Sequence, residues 1–456
     1  MTINVLNRDE TEFTRERVQD KMKVFRNSNP TLHPFQKARE YTRALNTVKL
    51  DKAFSKPFLY ALDEHVDAVY AMSRVPNHLP LILSGDGQGF VKLWHLGSRK
   101  CQWTGSAHQG QLRGITTDPF GELAFTCGLD KTIKMWNIHV GSAMNYENSG
   151  ESEEEKTMNT PTNVFLGKHN FNGIHHHAAK TQFATCGATV DIWDHARADP
   201  IHSFQWGADS VMALRFNPVD TDVLISAASD RSLVLYDIRT KSPLKKLIMY
   251  NFSNAIAWNP MESMRFVAAN EDQNAYTFDM RNLERAVTVH EDHTAAITSI
   301  DFAPTGKEFV TGSYDKSIRI FGSEAPKSRE IYHAKRMQRV YSVLFSADNK
   351  YILSGSDDTN VRLWKARANE KLGVTLARER TAGNYREKLK ERFGKSADIS
   401  RIARHQHVPK RILKDKKIKQ IQKESVARKE ERIRQNTKNP VEKVSRKKER
   451  VLKIVD

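Results

Sequence analysis

Cysteine is scarce in this chain. Cys101, Cys127 and Cys186 are the only three in 456 residues, an odd number with no CxxC pairing. Neither a disulfide framework nor a structural zinc site is therefore expected, and a reducing compartment fits best. Long apolar runs are also missing: nothing approaches the roughly 18–20 residues of a membrane-spanning helix. The opening Met1-Thr2-Ile3-Asn4 runs straight into Arg8-Asp9-Glu10, so no secretory signal is expected. What remains is a polar globular composition, 39% hydrophobic and 28% charged, in a chain too long for one ordinary domain and short for three.

The net charge of +18 is unevenly placed. Residues 365–456 carry 30 Lys and Arg against 12 Asp and Glu, which leaves 42 of each sign in the first 364 residues. A neutral body thus bears a basic appendage, and the appendage points to a polyanionic partner.

The body is repetitive. Seven segments end on an aromatic after an apolar/polar alternation suited to a half-buried strand: Trp94, Trp136, Trp193, Tyr236, Phe278, Phe321 and Trp364. Their spacings are 42, 57, 43, 42, 43 and 43 residues. The long one contains the acidic, serine-rich run Asn148–Lys156, which reads as an exposed loop insertion at about 145–160. Six residues before the aromatic an aspartate recurs, as Asp130, Asp230, Asp272, Asp315 and Asp358. Turn residues such as Asn217-Pro218 and Asn259-Pro260 close the preceding strand-like runs.

This pattern resembles the WD40 repeat family over residues 58–365, which implies an all-β fold, a seven-bladed propeller of four-stranded blades. The resemblance implies a hydrogen-bonded structural set inside each blade, complete in the second repeat as His108, Thr126, Asp130 and Trp136. The sixth keeps His293, Thr311 and Asp315 but ends on Phe321, which has no donor. The seventh keeps Asp358 and Trp364, with Arg336 at the histidine position; the first has Gln88 and the third Gly187 at the aspartate position. Pro57–Leu62 is expected to close the ring as the outer strand of the last blade, since closure removes exposed sheet edges.

Catalysis finds no footing. His175, His176 and His177 are consecutive, so on a strand His176 faces away from its neighbours, and with His169 and Cys186 they read as structural. The chain has no phosphate-cradling glycine loop, no GxSxG elbow and no HExxH helix. No catalytic residue, cofactor, metal or small-molecule substrate is expected.

The flanks are more informative than the repeats, because WD repeats serve many unrelated functions. An N-terminal extension, residues 1–57, includes Asn29-Pro30-Thr31-Leu32-His33-Pro34-Phe35 and charged helical stretches at 8–24 and 36–46. A basic helical domain, residues 366–456, includes Tyr385–Phe393 and Ile402–Lys410. A propeller with these flanks is similar to the Sof-type WD-repeat proteins of eukaryotic nucleoli. That resemblance implies a nuclear, nucleolar scaffold of the small-subunit processome, needed to process precursor rRNA, with precursor rRNA, small nucleolar RNA and processome proteins as partners. The family is also similar to substrate receptors of cullin-4 ubiquitin ligases, a role associated with a W-D-x-R motif at the ends of consecutive blades. Here Tyr236-Asp237-Ile238-Arg239 and Phe278-Asp279-Met280-Arg281 match three of the four positions, and Trp193-Asp194-His195-Ala196-Arg197 misses by one residue.

In the tail, Leu389, Phe393, Ile399, Ile402, Ile412 and Ile418 recur at loose helical spacings, with Gly394 and Pro409 as punctuation. About three helices are expected, broken near 394, 409 and 440. The densest basic stretches supply the candidate RNA contacts Lys410, Arg411, Lys414, Lys416, Lys417 and Lys419, then Arg446, Lys447, Lys448 and Arg450. They can also serve as nuclear-import signals. Phosphate contacts carry no sequence information, and few aromatics interleave the tail, so backbone contact and not base reading is expected.

Overall fold

The computed structural model describes residues 30–138, 160–205, 210–240, 242–438 and 445–455. The acidic run 148–156 and the helical stretch expected at 8–24 lie outside them. Seven antiparallel sheets form the blades: blade 1 (69–106), blade 2 (112–166), blade 3 (173–204), blade 4 (211–249), blade 5 (253–291), blade 6 (297–332) and blade 7 (340–365). The strand Phe58–Leu62 completes blade 7, pairing Phe58 with Trp364 and Leu62 with Val361, so the chain closes its own ring. Ser342 of blade 7 then donates to the Val69 carbonyl of blade 1 at 3.2 Å.

The recurring aspartate has a local cause. Asp130, Asp230, Asp272 and Asp315 each accept the amide two residues on, at 3.1, 3.0, 3.1 and 2.9 Å. The residue between, Lys131, Arg231, Gln273 or Lys316, sits in the left-handed region at φ 62–78°. The carboxylate satisfies an amide that this tight turn would otherwise leave open.

In blade 2, Trp136 Nε1 donates to Thr126 Oγ1 at 3.0 Å, Thr126 meets His108 Nε2 at 2.9 Å, and His108 Nδ1 meets Asp130 at 3.0 Å. In blade 6, His293 meets Thr311 at 2.7 Å and Asp315 at 2.8 Å. Burial pushes the Asp315 carboxyl up, but His293, Arg319 and Ser317 outweigh it and hold the carboxyl well below its usual range. Burial also lowers His293 and His108, so each pair is a neutral imidazole donating to a carboxylate.

Three blades differ from the spacing-based expectation. In blade 1 it is Asp86, not the residue at Gln88, that completes the set: His65 reaches Asp86 at 3.3 Å and Ser84 at 2.6 Å, and Trp94 donates to Ser84 at 2.7 Å. Asp86 accepts the Gln88 and Phe90 amides, and Gly89 takes the left-handed position at φ 89°. In blade 7, Arg336 is exposed, and Asp358 pairs instead with Arg362 at 3.0 Å, while Trp364 donates to Ser354 at 2.9 Å. Blade 3 has a shorter turn: Cys186 pairs with Val190, whereas Cys127 of blade 2 pairs with Ile133. Two residues are missing where the aspartate would stand, yet Trp193 still donates to Thr185 at 2.9 Å.

Outside the blades the contacts cut across the linear division at residues 57 and 365. One compact unit joins residues 30–57 with Arg367–His407; the other joins the propeller with residues 408–438 and 445–455. In the first, helix α1 (Gln36–Ala53) packs on α2 (Ala377–Phe393) and α3 (Ala397–Arg404). Ala44, Val48, Leu389 and Ile399 form its buried core. Arg392 pairs with Glu40 at 3.1 Å, Lys390 with Asp51, and Tyr41 donates to Asp398 at 3.0 Å. In the second unit, α4 (Lys410–Asn436) precedes a strand, Val451–Val455, that joins the outer edge of blade 4. The breaks at Gly394 and Pro409 fall where expected, the one expected near 440 lies outside the described residues, and the terminal strand is additional to the expected helices.

Candidate protein and nucleic-acid interfaces

The histidine run is absorbed by the scaffold. His175 Nδ1 accepts the Phe216 amide at 3.3 Å, His176 lies 2.8 Å from His195, and His177 accepts the Ala179 and Lys180 amides at 3.0 and 2.9 Å. Burial lowers His176 to about 4, which keeps it neutral. Among the described residues no cluster of three His, Cys, Asp or Glu side chains could hold a metal.

The two aromatic-Asp-x-Arg segments lie at equivalent strand ends of neighbouring blades 4 and 5. Their aromatics are core residues: Tyr236 is buried, with its hydroxyl accepting from Ser226 of the same blade at 3.2 Å, and Phe278 is fully buried. Asp237 and Asp279 accept the amides of Arg239 and Arg281 at 2.9 and 3.0 Å, fixing identical turns. The guanidinium groups project outward, with side chains 74% and 71% exposed. Arg239 pairs with Asp222, whose carboxyl Lys180 and Arg239 hold down to about 2. Arg281 folds back on Asp279 with contacts of 3.1 and 2.8 Å. The surface offered is thus two exposed planar guanidinium groups, each already paired with a carboxylate, on turns held by the same Asp-to-amide hydrogen bond.

The tail's basic residues divide into two groups. Lys416 reaches Asp292 at 3.0 Å, Lys419 donates to the Thr294 carbonyl, and Lys423 lies 3.6 Å from Glu291. Arg446 approaches Glu291 at 3.9 Å, and Arg450 approaches Asp272 at 3.9 Å while lying 5.4 Å over the Tyr250 ring. Burial raises the Asp292 carboxyl, but Ser328, Arg319 and Lys416 outweigh it and leave it below its usual value. The strand Val451–Val455 pairs Val451 with Met249 and Val455 with Lys246, and Val451 and Ile454 pack on the cluster that includes Leu247 and Met249. The Ala286 amide donates to the Lys447 carbonyl at 2.9 Å, and the Tyr250 amide to that of Arg450 at 2.9 Å. So Lys416, Lys419, Arg446 and Arg450, four of the ten candidate RNA contacts, are engaged with blades 4 to 6. Lys410, Arg411, Lys414, Lys417, Lys447 and Lys448 are exposed. Sequence alone could not separate the two groups, because the partner carboxylates lie more than a hundred residues upstream.

A ring of seven WD-type blades, followed by a basic helical tail whose last strand pairs with blade 4, defines a WD-repeat protein with an appended helical domain. The WD domain, G-beta repeat family matches residues 99–137, 284–322 and 328–365, and the Sof1-like domain family matches residues 366–452. DDB1- and CUL4-associated factor 13 of Danio rerio is 48% identical over 457 residues, and that of Homo sapiens 48% over 456, each covering 100% of both chains. Protein SOF1 of Saccharomyces cerevisiae is 42% identical over 453 residues, 96% of this chain and 92% of its own. The chain belongs to this family of WD-repeat proteins with a Sof1-like domain. Among solved structures, the WD40 beta propeller domain of Doa1 superposes with a TM-score of 0.56 at 18% identity, covering 68% of this chain and 97% of that one, a likeness of fold alone.

Proposed function

We propose that the chain is a non-catalytic, nucleolar scaffold of the small-subunit processome, needed for processing precursor rRNA, and that its basic tail contacts precursor rRNA and small nucleolar RNA. The observation that carries this reading is the full-length likeness to Protein SOF1, tail included. The charge distribution supports it: the body is neutral and the whole surplus of +18 lies in the tail. The propeller supplies rigid faces for processome proteins. Crosslinking the intact chain to RNA in cells, beside a truncation ending at Ala366, tests the reading. Recovery of precursor rRNA or small nucleolar RNA that vanishes on truncation is expected; no RNA above background would contradict it.

A second role has its own observation. Relatives at 48% identity bear the name DDB1- and CUL4-associated factor 13, and Arg239 and Arg281 stand exposed on matching turns. In this reading the two arginines contact the adaptor of a cullin-4 ligase. Arg239→Glu with Arg281→Glu is expected to abolish ligase co-purification and leave precursor rRNA association intact. Unchanged ligase recovery would remove both arginines from the interface.

A further inference from the structure

Docking fixes which face of α4 looks outward. At 100° per residue, Ile412, Lys416, Lys419 and Lys423 fall within an arc of about 60°. Ile412 is buried, and the three lysines are the ones that meet Asp292, Thr294 and Glu291. Lys410, Lys414, Lys417, Arg428 and Arg432 fall within a second arc of about 60°, roughly opposite the first. All five are exposed, and none has an ion pair to a described residue. Ile421 and Glu424 stand between the lysines and the arginines. From Lys410 to Arg432 the row runs about 33 Å along a single helix.

The chemistry of this face limits its ligand. It is cationic, so it selects a polyanion. No Phe, Tyr or Trp occurs anywhere in residues 394–456, so the face lacks the row of large aromatic platforms on which successive unpaired bases stack in single-strand binders. A row of cations along one helix face with no aromatic platform matches a ligand whose phosphates are regularly spaced and whose bases are already stacked inside. Duplex RNA has that form and is recognised mainly through shape, phosphates and 2′-hydroxyls. We propose that the outward face of α4 is a docking surface for the phosphate backbone of duplex RNA, independent of sequence, with the inward lysines serving only to fix the helix on the propeller. This rests on the reading that the tail contacts RNA and specifies the half of the tail, the face and the form of RNA.

The test compares two triple variants of the full-length chain. The outward variant is Lys410→Gln, Lys414→Gln, Lys417→Gln; the inward variant is Lys416→Gln, Lys423→Gln, Arg446→Gln. Binding to a short RNA duplex of mixed sequence is followed by fluorescence anisotropy across a salt series, beside a single strand of the same length, with far-ultraviolet circular dichroism confirming the fold. The outward variant is expected to flatten the plot of log affinity against log salt by roughly 2–3 units of slope, and the inward variant by less than about 1. The unaltered chain is expected to prefer the duplex. Equal losses in the two variants would overturn the built face in favour of an unstructured polyelectrolyte. Tighter binding of the single strand would overturn the choice of duplex. Failure of the unaltered chain to bind either RNA would instead bring down the reading on which the proposal stands.

Discussion

The two halves of the tail are both basic and both helical, yet different forces attach them. Residues 367–407 close on α1 through Ala44, Val48, Leu389 and Ile399, each at most 4% exposed, an apolar contact flanked by the largely buried Arg392–Glu40 pair and by Lys390–Asp51. Residues 408–455 bury little beyond Ile412 on α4, where Ile421 and Ile433 remain 62% and 65% exposed. That half is attached by lysines and arginines on carboxylates and by a strand added to blade 4. The contrast follows from where the apolar residues fall: α3 gathers Ile399 and Ile402 on one side of a short helix, whereas α4 scatters its isoleucines around a long one. Salt screens exposed ion pairs and does not weaken apolar contact. A basic tail can therefore be anchored by one half and remain electrostatically responsive in the other.

Acid has the largest expected effect, and it falls on the propeller and not on the ionic contacts of the second half. His176 and His290 are each lowered to about 4 by burial, from an ordinary 6.5. Because their folded values lie below the unfolded one, their contribution is complete above pH 6.5 and is lost as pH falls toward 4, up to about 3 kcal/mol for each. The Asp292 carboxylate, lowered from 3.8, stays charged throughout that window. Thermal melting of the propeller should thus drop between pH 6.5 and 4 while the contacts to α4 persist; a flat profile would mean that these histidines are charged in the fold.

Leu389→Ala comes next. The side chain is 1% exposed in a small core, and its truncation should cost about 3 kcal/mol locally. Hydrogen exchange in α1 and α2 should accelerate strongly, and unchanged protection would show that this core does not hold the helices together. Ile454→Asp places a carboxylate beside Leu247 and Met249, at a cost of about 2 kcal/mol. Trypsin should then cut at Lys447, Lys448 and Lys453 far sooner than in the unaltered chain. An unchanged digestion pattern would mean that the terminal strand is not anchored by its apolar side. Smallest is Lys416→Gln with Lys423→Gln, expected to loosen α4 by about 0.2–1 kcal/mol per pair because both lysines are largely exposed. Raising salt should reproduce that loosening in the unaltered chain and affect α1–α3 less, because the Arg392–Glu40 pair there is largely buried.

Much of the propeller was legible because its signals are local. The spacing of Trp94, Trp136, Trp193, Tyr236, Phe278, Phe321 and Trp364 reflects strand pairing, and the aspartate six residues earlier reflects a left-handed turn. The same counting missed Asp86, two residues early, because Gly89 enters the turn without help from its neighbour. It also missed Arg362, four residues after Asp358, since only the fold shows that an arginine takes over from the absent histidine. Val451-Leu452-Lys453-Ile454-Val455 alternates well enough to be read as a strand, but its partner edge lies some two hundred residues away. The candidate RNA contacts were legible as a composition and not as a surface. Glu291 and Asp292 decide which cations face inward, and nothing in the tail's own sequence announces them.

The central claim is that the ionically attached half of the tail carries the RNA contact. The most direct measurement is in-cell RNA crosslinking of the intact chain beside a chain ending at His407, which keeps α1–α3 and the propeller and removes α4 and the terminal strand. The account predicts that precursor rRNA and small nucleolar RNA are recovered with the intact chain and lost with the shortened one. Equal recovery from both would contradict it and move the RNA contact to the propeller or to the helices that pack on α1.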